Sequence, residues 1–211
     1  MKFRHFALLA AAAVAAACGS SASADSILYN SLVVNNAHGT YTYNYQIQLT
    51  DNSILRSGDF FEIVDFAFLT GPATGVGQGV EATVVNGPSN WTFTTPMFTG
   101  SITAPGVGGN TVSVPDSATV PNLRWTYSGP DFVNNSGSSV ILGGFFATSS
   151  VSQTVVGNLM AQDHSNSLGT ARVNSDQILV PAVPSPAAAM GGMALLGMLG
   201  GSQVLRRRSM K

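Results

Sequence analysis

Few residues of this chain are of a type that does acid–base, nucleophilic or metal chemistry. Outside the first 24 residues the histidines are His38 and His164, and Cys18 is the chain's sole cysteine. A zinc-type centre draws on clustered His and Cys. His38 and His164 stand far apart with no Cys beside either, so both read as loop histidines and no metal site or cofactor is assigned. A nucleophilic Ser needs a positioned base, and neither a GxSxG elbow nor a motif around either His is present. Gly75-Val76-Gly77-Gln78-Gly79 lacks the completed GxGxxG pattern and a following Lys, and it reads as a loop.

The compact acidic group is Asp59, Glu62 and Asp65. On a straight strand Asp59 and Asp65 share a face about 20 Å apart and Glu62 points the other way. A catalytic carboxylate pair then requires a bend or bulge, and the expected role is that of solvated charges. Oxygen-rich positions Asp51, Asn52, Asp59 and Asp163 lack the spacing of a Ca²⁺ loop. Trp91, Trp125 and Tyr127 have two readings: core aromatics, or rings that stack on sugar faces. Asn90-Trp91-Thr92 and Asn134-Asn135-Ser136 match the glycosylation triplet, which an Asn/Thr-rich chain produces by chance.

Strands must position these residues. Tyr41, Tyr43, Tyr45, Ile47 and Leu49 alternate with Thr40, Thr42, Asn44, Gln46 and Gln48, ten residues of period two. A turn at Thr50-Asp51-Asn52-Ser53 and Gly58 precede a strand-like run from Asp59 to Phe68. Further runs are Ile27 to Val34, Val80 to Val85, Trp91 to Thr95, Asn110 to Val114, Leu123 to Tyr127, Ser139 to Thr148, Val151 to Met160 and Ala171 to Leu179. Gly-, Pro-, Asn- and Ser-rich stretches separate them, and no capped 3.6-residue period occurs between Asp25 and Pro181. The expected fold is all-β: a single antiparallel β-sandwich of eight or nine strands over residues 25–180, flanked by an N-terminal signal helix and a C-terminal transmembrane helix.

Charge is segregated. The 211-residue chain has a formal net charge of −1, but every acid lies between Asp25 and Asp176. In the 25–186 body three arginines, Arg56, Arg124 and Arg172, face ten acids, a net of −7 without a single Lys. Such a body repels phosphate backbones, so nucleic acid is excluded as a partner.

The two ends carry addresses. Lys2 and Arg4, an apolar run from Phe6 to Ala17, and small residues ending Ala22-Ser23-Ala24 make a signal peptide over residues 1–24. Cleavage after Ala24 leaves Asp25 first, and implies the Sec translocon and signal peptidase as partners. A rival reading takes Ala15-Ala16-Ala17-Cys18 as a degenerate lipoprotein box. Under the first reading the cysteine departs with the leader, and the mature protein has no thiol. Residues 187–205 form an apolar run broken only by Ser202 and Gln203, long enough to span a bilayer. Residues 206–211, with Arg206, Arg207 and Arg208, make a basic tail that stays cytoplasmic by the positive-inside rule. Export of the body agrees with that orientation. Gly197 and Gly201 give a GxxxG spacing that Gly-rich composition explains.

A Pro-rich stem at residues 181–186 precedes the span and contains Val183-Pro184-Ser185-Pro186. The order of Pro-x-Pro, short apolar span and Arg cluster resembles the PEP-CTERM sorting tail read by exosortases, with Ser185 standing where Glu is usual. The resemblance covers residues 183 to 211. It implies anchoring at the inner membrane, then cleavage by an exosortase-type membrane protease that recognises Val183, Pro184, Ser185 and Pro186 ahead of Arg206 to Arg208. Two prolines hold the backbone extended there, as a protease cleft requires. The segments Gly58 to Phe66 and Pro121 to Tyr127 are similar to stretches of other sorting-tail surface proteins without an assigned activity. Expected function is therefore a non-enzymatic exported cell-surface or extracellular-matrix protein. The alternatives are an exopolysaccharide-binding module using Trp91, Trp125 and Tyr127, and a glycosidase or lyase using Asp or Glu pairs.

Overall fold

Alternation makes a strand when one of its faces can be buried, and residues 40–49 do this: Tyr43, Tyr45, Ile47 and Leu49 are buried while Gln46 is exposed. The computed structural model describes residues 26–36, 39–70, 79–80, 84, 86–104 and 109–183. Cys18, the cleavage residues Ala22, Ala24 and Asp25, His38, Pro184, Ser185, Pro186, the 187–205 run and Arg206 to Arg208 lie outside the described residues, as do both expected flanking helices. No helix of the described residues is long and apolar enough to cross a membrane.

The described chain is all-β and antiparallel, with thirteen strands and one 3₁₀ turn at Pro88–Asn90. The strands are β1 (Ser26–Asn36), β2 (Thr40–Leu49), β3 (Ser53–Leu55), β4 (Phe60–Ile63), β5 (Gly79–Val80), β6 (Trp91–Thr94), β7 (Ser101–Thr103), β8 (Thr111–Ser113), β9 (Leu123–Tyr127), β10 (Phe132–Asn134), β11 (Val140–Ser149), β12 (Thr154–Ser165) and β13 (Ala171–Pro181). One sheet runs β1-β2-β11-β5. In the other, β12 pairs β13 along one side and, along its opposite side, β4 and then β3; β4 leads on to β9 and β6, and β3 to β10. The two sheets face each other in a sandwich-like arrangement.

Between them lies one aromatic-rich core. Phe61 stacks on Trp125 at 5.0 Å between centroids, Phe145 from the first sheet meets Phe61 edge-on at 4.6 Å, and Trp91 packs on Phe145 at 4.9 Å. Such pairs add to the stabilisation from burial itself. A second cluster sits on the outer face of the larger sheet. There the β7–β8 hairpin lays Ile102 and Ala104 over Met160, Ala171 and Val173.

Several strand expectations change: the described residues hold thirteen strands where eight or nine were expected, because three-residue strands add to the long ones, and the run expected over Val151 to Met160 starts at Thr154 and continues to Ser165. The run Asp59 to Phe68 is not one strand: β4 ends at Ile63, and Asp65 (φ 59°) and Phe68 (φ 54°) turn the chain through the left-handed region. The bend is held by Asp65 N–H donating to Asn122 Oδ1 and Phe66 N–H donating to the Pro121 carbonyl, contacts that a period-two pattern does not contain. Thr50 to Ser53 is a turn only as far as Asn52, because Ser53 opens β3 and pairs with both β10 and β12. The last strand reaches Pro181, and Ala182 N–H still donates to the Gln153 carbonyl.

The chain enters and leaves at opposite ends. Ser26 pairs with Leu49, whereas Pro181 pairs with Thr154 at the end where the Tyr43 hydroxyl donates to the Val151 carbonyl.

Candidate functional site

The acids expected to be solvated are mostly buried. Asp65 stays partly exposed, but Asp59 and Glu62 are fully buried, which overturns the solvated-charge reading for those two, and the oxygen-rich position Asp163 is buried as well, at 1% exposure. Each buried acid has partners, as an ionised carboxylate requires.

Asp59 closes the Arg56–Asp59 turn by accepting from Arg56 N–H at 2.7 Å, while Asp59 N–H donates back to the Arg56 carbonyl. Its second oxygen accepts from Gln162 Nε2 at 3.1 Å. His164 Nδ1 lies 3.0 Å from Asp59 Oδ2, so an ionised Asp59 selects the tautomer with the proton on Nδ1. Burial pushes the Asp59 carboxyl up, against the lowering effect of these bonds. His164 is thus no loop histidine. It stands in β12, opposite Ile54 of β3.

Glu62 lies on the same outer face. It accepts from Arg124 Nε at 2.5 Å and from Asn122 Nδ2 at 2.9 Å, and the Arg124 guanidinium also covers the Phe60 ring at 4.3 Å. Asn122 Nδ2 reaches Asp116 as well, and Asp116 Oδ2 accepts from the Thr99 and Gly100 N–H groups. This chain of bonds pins the loops before β7 and β9 to the sheet.

Asp163 points inward. Its carboxylate accepts from Arg172 Nη2 at 3.1 Å across the β12–β13 pair, and Arg172 also donates to Ser53 Oγ at 2.8 Å. Burial raises the Asp163 pKa to about 6, with Arg172 opposing the shift. A cavity of about 10 Å³, near the size of one water, lies against Asp163, Leu55, Trp91 and Leu142. It is too small for a sugar.

An Asp–His pair orients an imidazole as a general base is oriented, but a hydrolase also needs a nucleophile against the ring. Among the described residues no Ser or Thr hydroxyl is hydrogen-bonded to the His164 ring. No group of three or more His, Cys, Asp or Glu side chains gathers to hold a metal ion among the described residues. What the three networks do is tie strands and loops together.

The rings proposed for sugar stacking are in the core. Trp125 and Tyr127 are 0% exposed and Trp91 is 7% exposed, so none offers a face to a glycan. The Tyr127 hydroxyl donates to the Pro130 carbonyl and accepts from Asn86 Nδ2, and Trp125 Nε1 donates to the Gly79 carbonyl. Asn134 of the second glycosylation triplet is buried, its amide donating to the Leu49, Thr50 and Ser138 carbonyls. Val183 of the sorting motif is half-exposed at the point where the described chain ends.

Of the residues now prominent, Asn122 and Asp116 carried no sequence signal, since Glu62 and the Thr99 and Gly100 N–H groups that they bind are distant along the chain. Asp163 with Arg172 was legible in principle, because Asn166 to Gly169 makes a hairpin turn that sets those two positions opposite each other. No protein-family model, curated protein or solved structure matches the chain.

Proposed function

We propose that this chain is a non-enzymatic, exported cell-surface or extracellular-matrix β-sandwich protein, sorted through its C-terminal tail. The observation that carries this reading is the pairing of addresses. A leader with small residues at Ala22 and Ala24 precedes, and a Pro-x-Pro stem, apolar run and Arg206-Arg207-Arg208 cluster follow, a Lys-free acidic body. In this reading the leader engages the Sec translocon and signal peptidase, the 187–205 run holds the protein in the inner membrane, and an exosortase-type protease releases the body near Pro184 or Pro186. Support for a structural role comes from the acids Asp59, Glu62 and Asp163, whose hydrogen bonds go to strands and loops.

An intact mass of the protein recovered from its native envelope or medium tests both ends at once. The expected species begins at Asp25 and ends near Pro184 or Pro186. A species that retains Arg206 to Arg208, or that carries acyl chains on Cys18, refutes sorting and means a membrane-held protein. Hydrolysis of glycoside or ester substrates above background by the purified body would refute the non-enzymatic part separately.

A further inference from the structure

Three residues, Pro184, Ser185 and Pro186, separate Val183 from the apolar run that starts at Ala187. The four residue steps from Val183 to Ala187 reach at most about 14 Å when extended. Whatever holds the run therefore holds the exit end of the sandwich close by, at a high effective concentration for any surface there.

That end is unusually apolar. Val156 and Leu179 are direct cross-strand partners, exposed by 57% and 39%, and Val183 follows two residues past the end of the ladder. Met97 and Phe98 are exposed by 50% and 63%, and they stand at the same end because Asn122 N–H donates to the Pro96 carbonyl. Phe68 belongs with them, its carbonyl accepting from Ser150 N–H. It keeps its ring half-exposed in the left-handed region at φ 54°, a conformation costly for a bulky residue. From β13 through β12, β4 and β9 to β6 is four strand spacings, roughly 20 Å, along which Leu179, Val156, Met97 and Phe98 are distributed, with Phe68 set toward the end of β11.

Most charge lies away from this row, although the Glu62–Arg124 pair and the exposed Asp176 stand at mid-height of the larger sheet, beside Met160 and Leu159. Asp51, Arg56, Asp59, Asp131, Asp163 and Arg172 gather toward the opposite end, around the turns that follow Leu49, Leu55, Tyr127 and Ser165. Asp65 and Asp116 are at the exit end, but each has a carboxylate oxygen occupied by backbone N–H groups: Asp65 by Ser117, Asp116 by Thr99 and Gly100. An exposed apolar row with few free charges is a surface made for an apolar partner.

We propose that this row, Phe68, Met97, Phe98, Val156, Leu179 and Val183, rests in the interfacial layer of the lipid bilayer that the 187–205 run enters. The inference depends on the reading above that this run spans a membrane. The sandwich then stands end-on, with its charged turns pointing away from the lipid, and release of the tail frees the row from the surface.

The test uses the full chain with Cys18→Ser, reconstituted in phosphatidylcholine vesicles. Single-cysteine variants Phe98→Cys and Val156→Cys carry an environment-sensitive dye, and Val133→Cys and Leu168→Cys, exposed apolar positions at the far end, carry it as controls. Quenching by lipids brominated on their acyl chains is expected to be at least threefold stronger at 98 and 156 than at 133 and 168. Equal, weak quenching at all four while the protein survives an alkaline wash overturns the docking and leaves the spanning tail intact. Loss of the protein in that wash overturns the spanning tail and the docking with it. A difference that grows with protein density in the membrane overturns lipid as the partner in favour of a second copy of the chain.

Discussion

Glu62 is fully buried beneath Arg124, which is itself only partly exposed, and the pair shares Asn122 with the 116–122 loop. Removing one member of a buried ion pair leaves the other uncompensated, which is costlier than losing the bond itself. Glu62→Ala is expected to lower unfolding free energy by about 2–4 kcal/mol, read from urea titrations, with Glu62→Gln losing less because it keeps acceptor geometry. Asp163 makes a prediction about pH. Its pKa rises on folding from 3.8 to about 6, so the native state binds the proton more tightly. The stabilisation from this group is complete below 3.8 and is lost as pH climbs through about 6. Two units correspond to roughly 3 kcal/mol, and the raised Asp59 acts with the same sign. Urea midpoints are therefore expected to fall between pH 4 and 6, and Asp163→Asn to flatten much of that fall. An unchanged slope in the variant would show that Asp163 is not the titrating group.

Strand β11 carries a bulge between Ile141 and Gly143 against β2, and Gly143 sits at φ +124°. A Cβ there would lie 2.6 Å from Val84 Cα, a backbone atom that cannot step aside as a flexible side chain can. Gly143→Ala is expected to cost more than the 1–3 kcal/mol of strain alone, whereas Gly137→Ala, at φ +75° with nothing within 4 Å, is expected to cost only about 1 kcal/mol. Thermal melts of the two variants separate the steric from the conformational contribution. At this scale the sequence was informative where a strand buries every second residue, as in β2 and β9. It was misleading where hydrogen bonds from afar ended a run, as at Asp65, and uninformative for β3, β7 and β10, three residues each. A three-residue strand has too few positions for a period to register.

Across the whole molecule, the two sheets share a core built on Phe61, Trp91, Trp125 and Phe145. Trp125→Ala is expected to destabilise by about 3–5 kcal/mol. With both Trp rings buried, titration with polysaccharide is expected to leave their emission unchanged; a saturable shift would mean that a glycan reaches the core aromatics or rearranges them. Composition, alternation and segregated charge already determined the all-β class, the buried face of β2, the Lys-free acidic body and the apolar run after residue 186. These properties are local or additive along the chain, and a sequence states them directly. Tertiary structure alone decided that Asp59, Glu62 and Asp163 are internal ties, that the tryptophans face inward, and that entry and exit lie at opposite ends. Period two divides a strand's residues between two faces. Which of those faces meets water is set by the sheet or hairpin that comes to cover it, and that partner is distant in sequence.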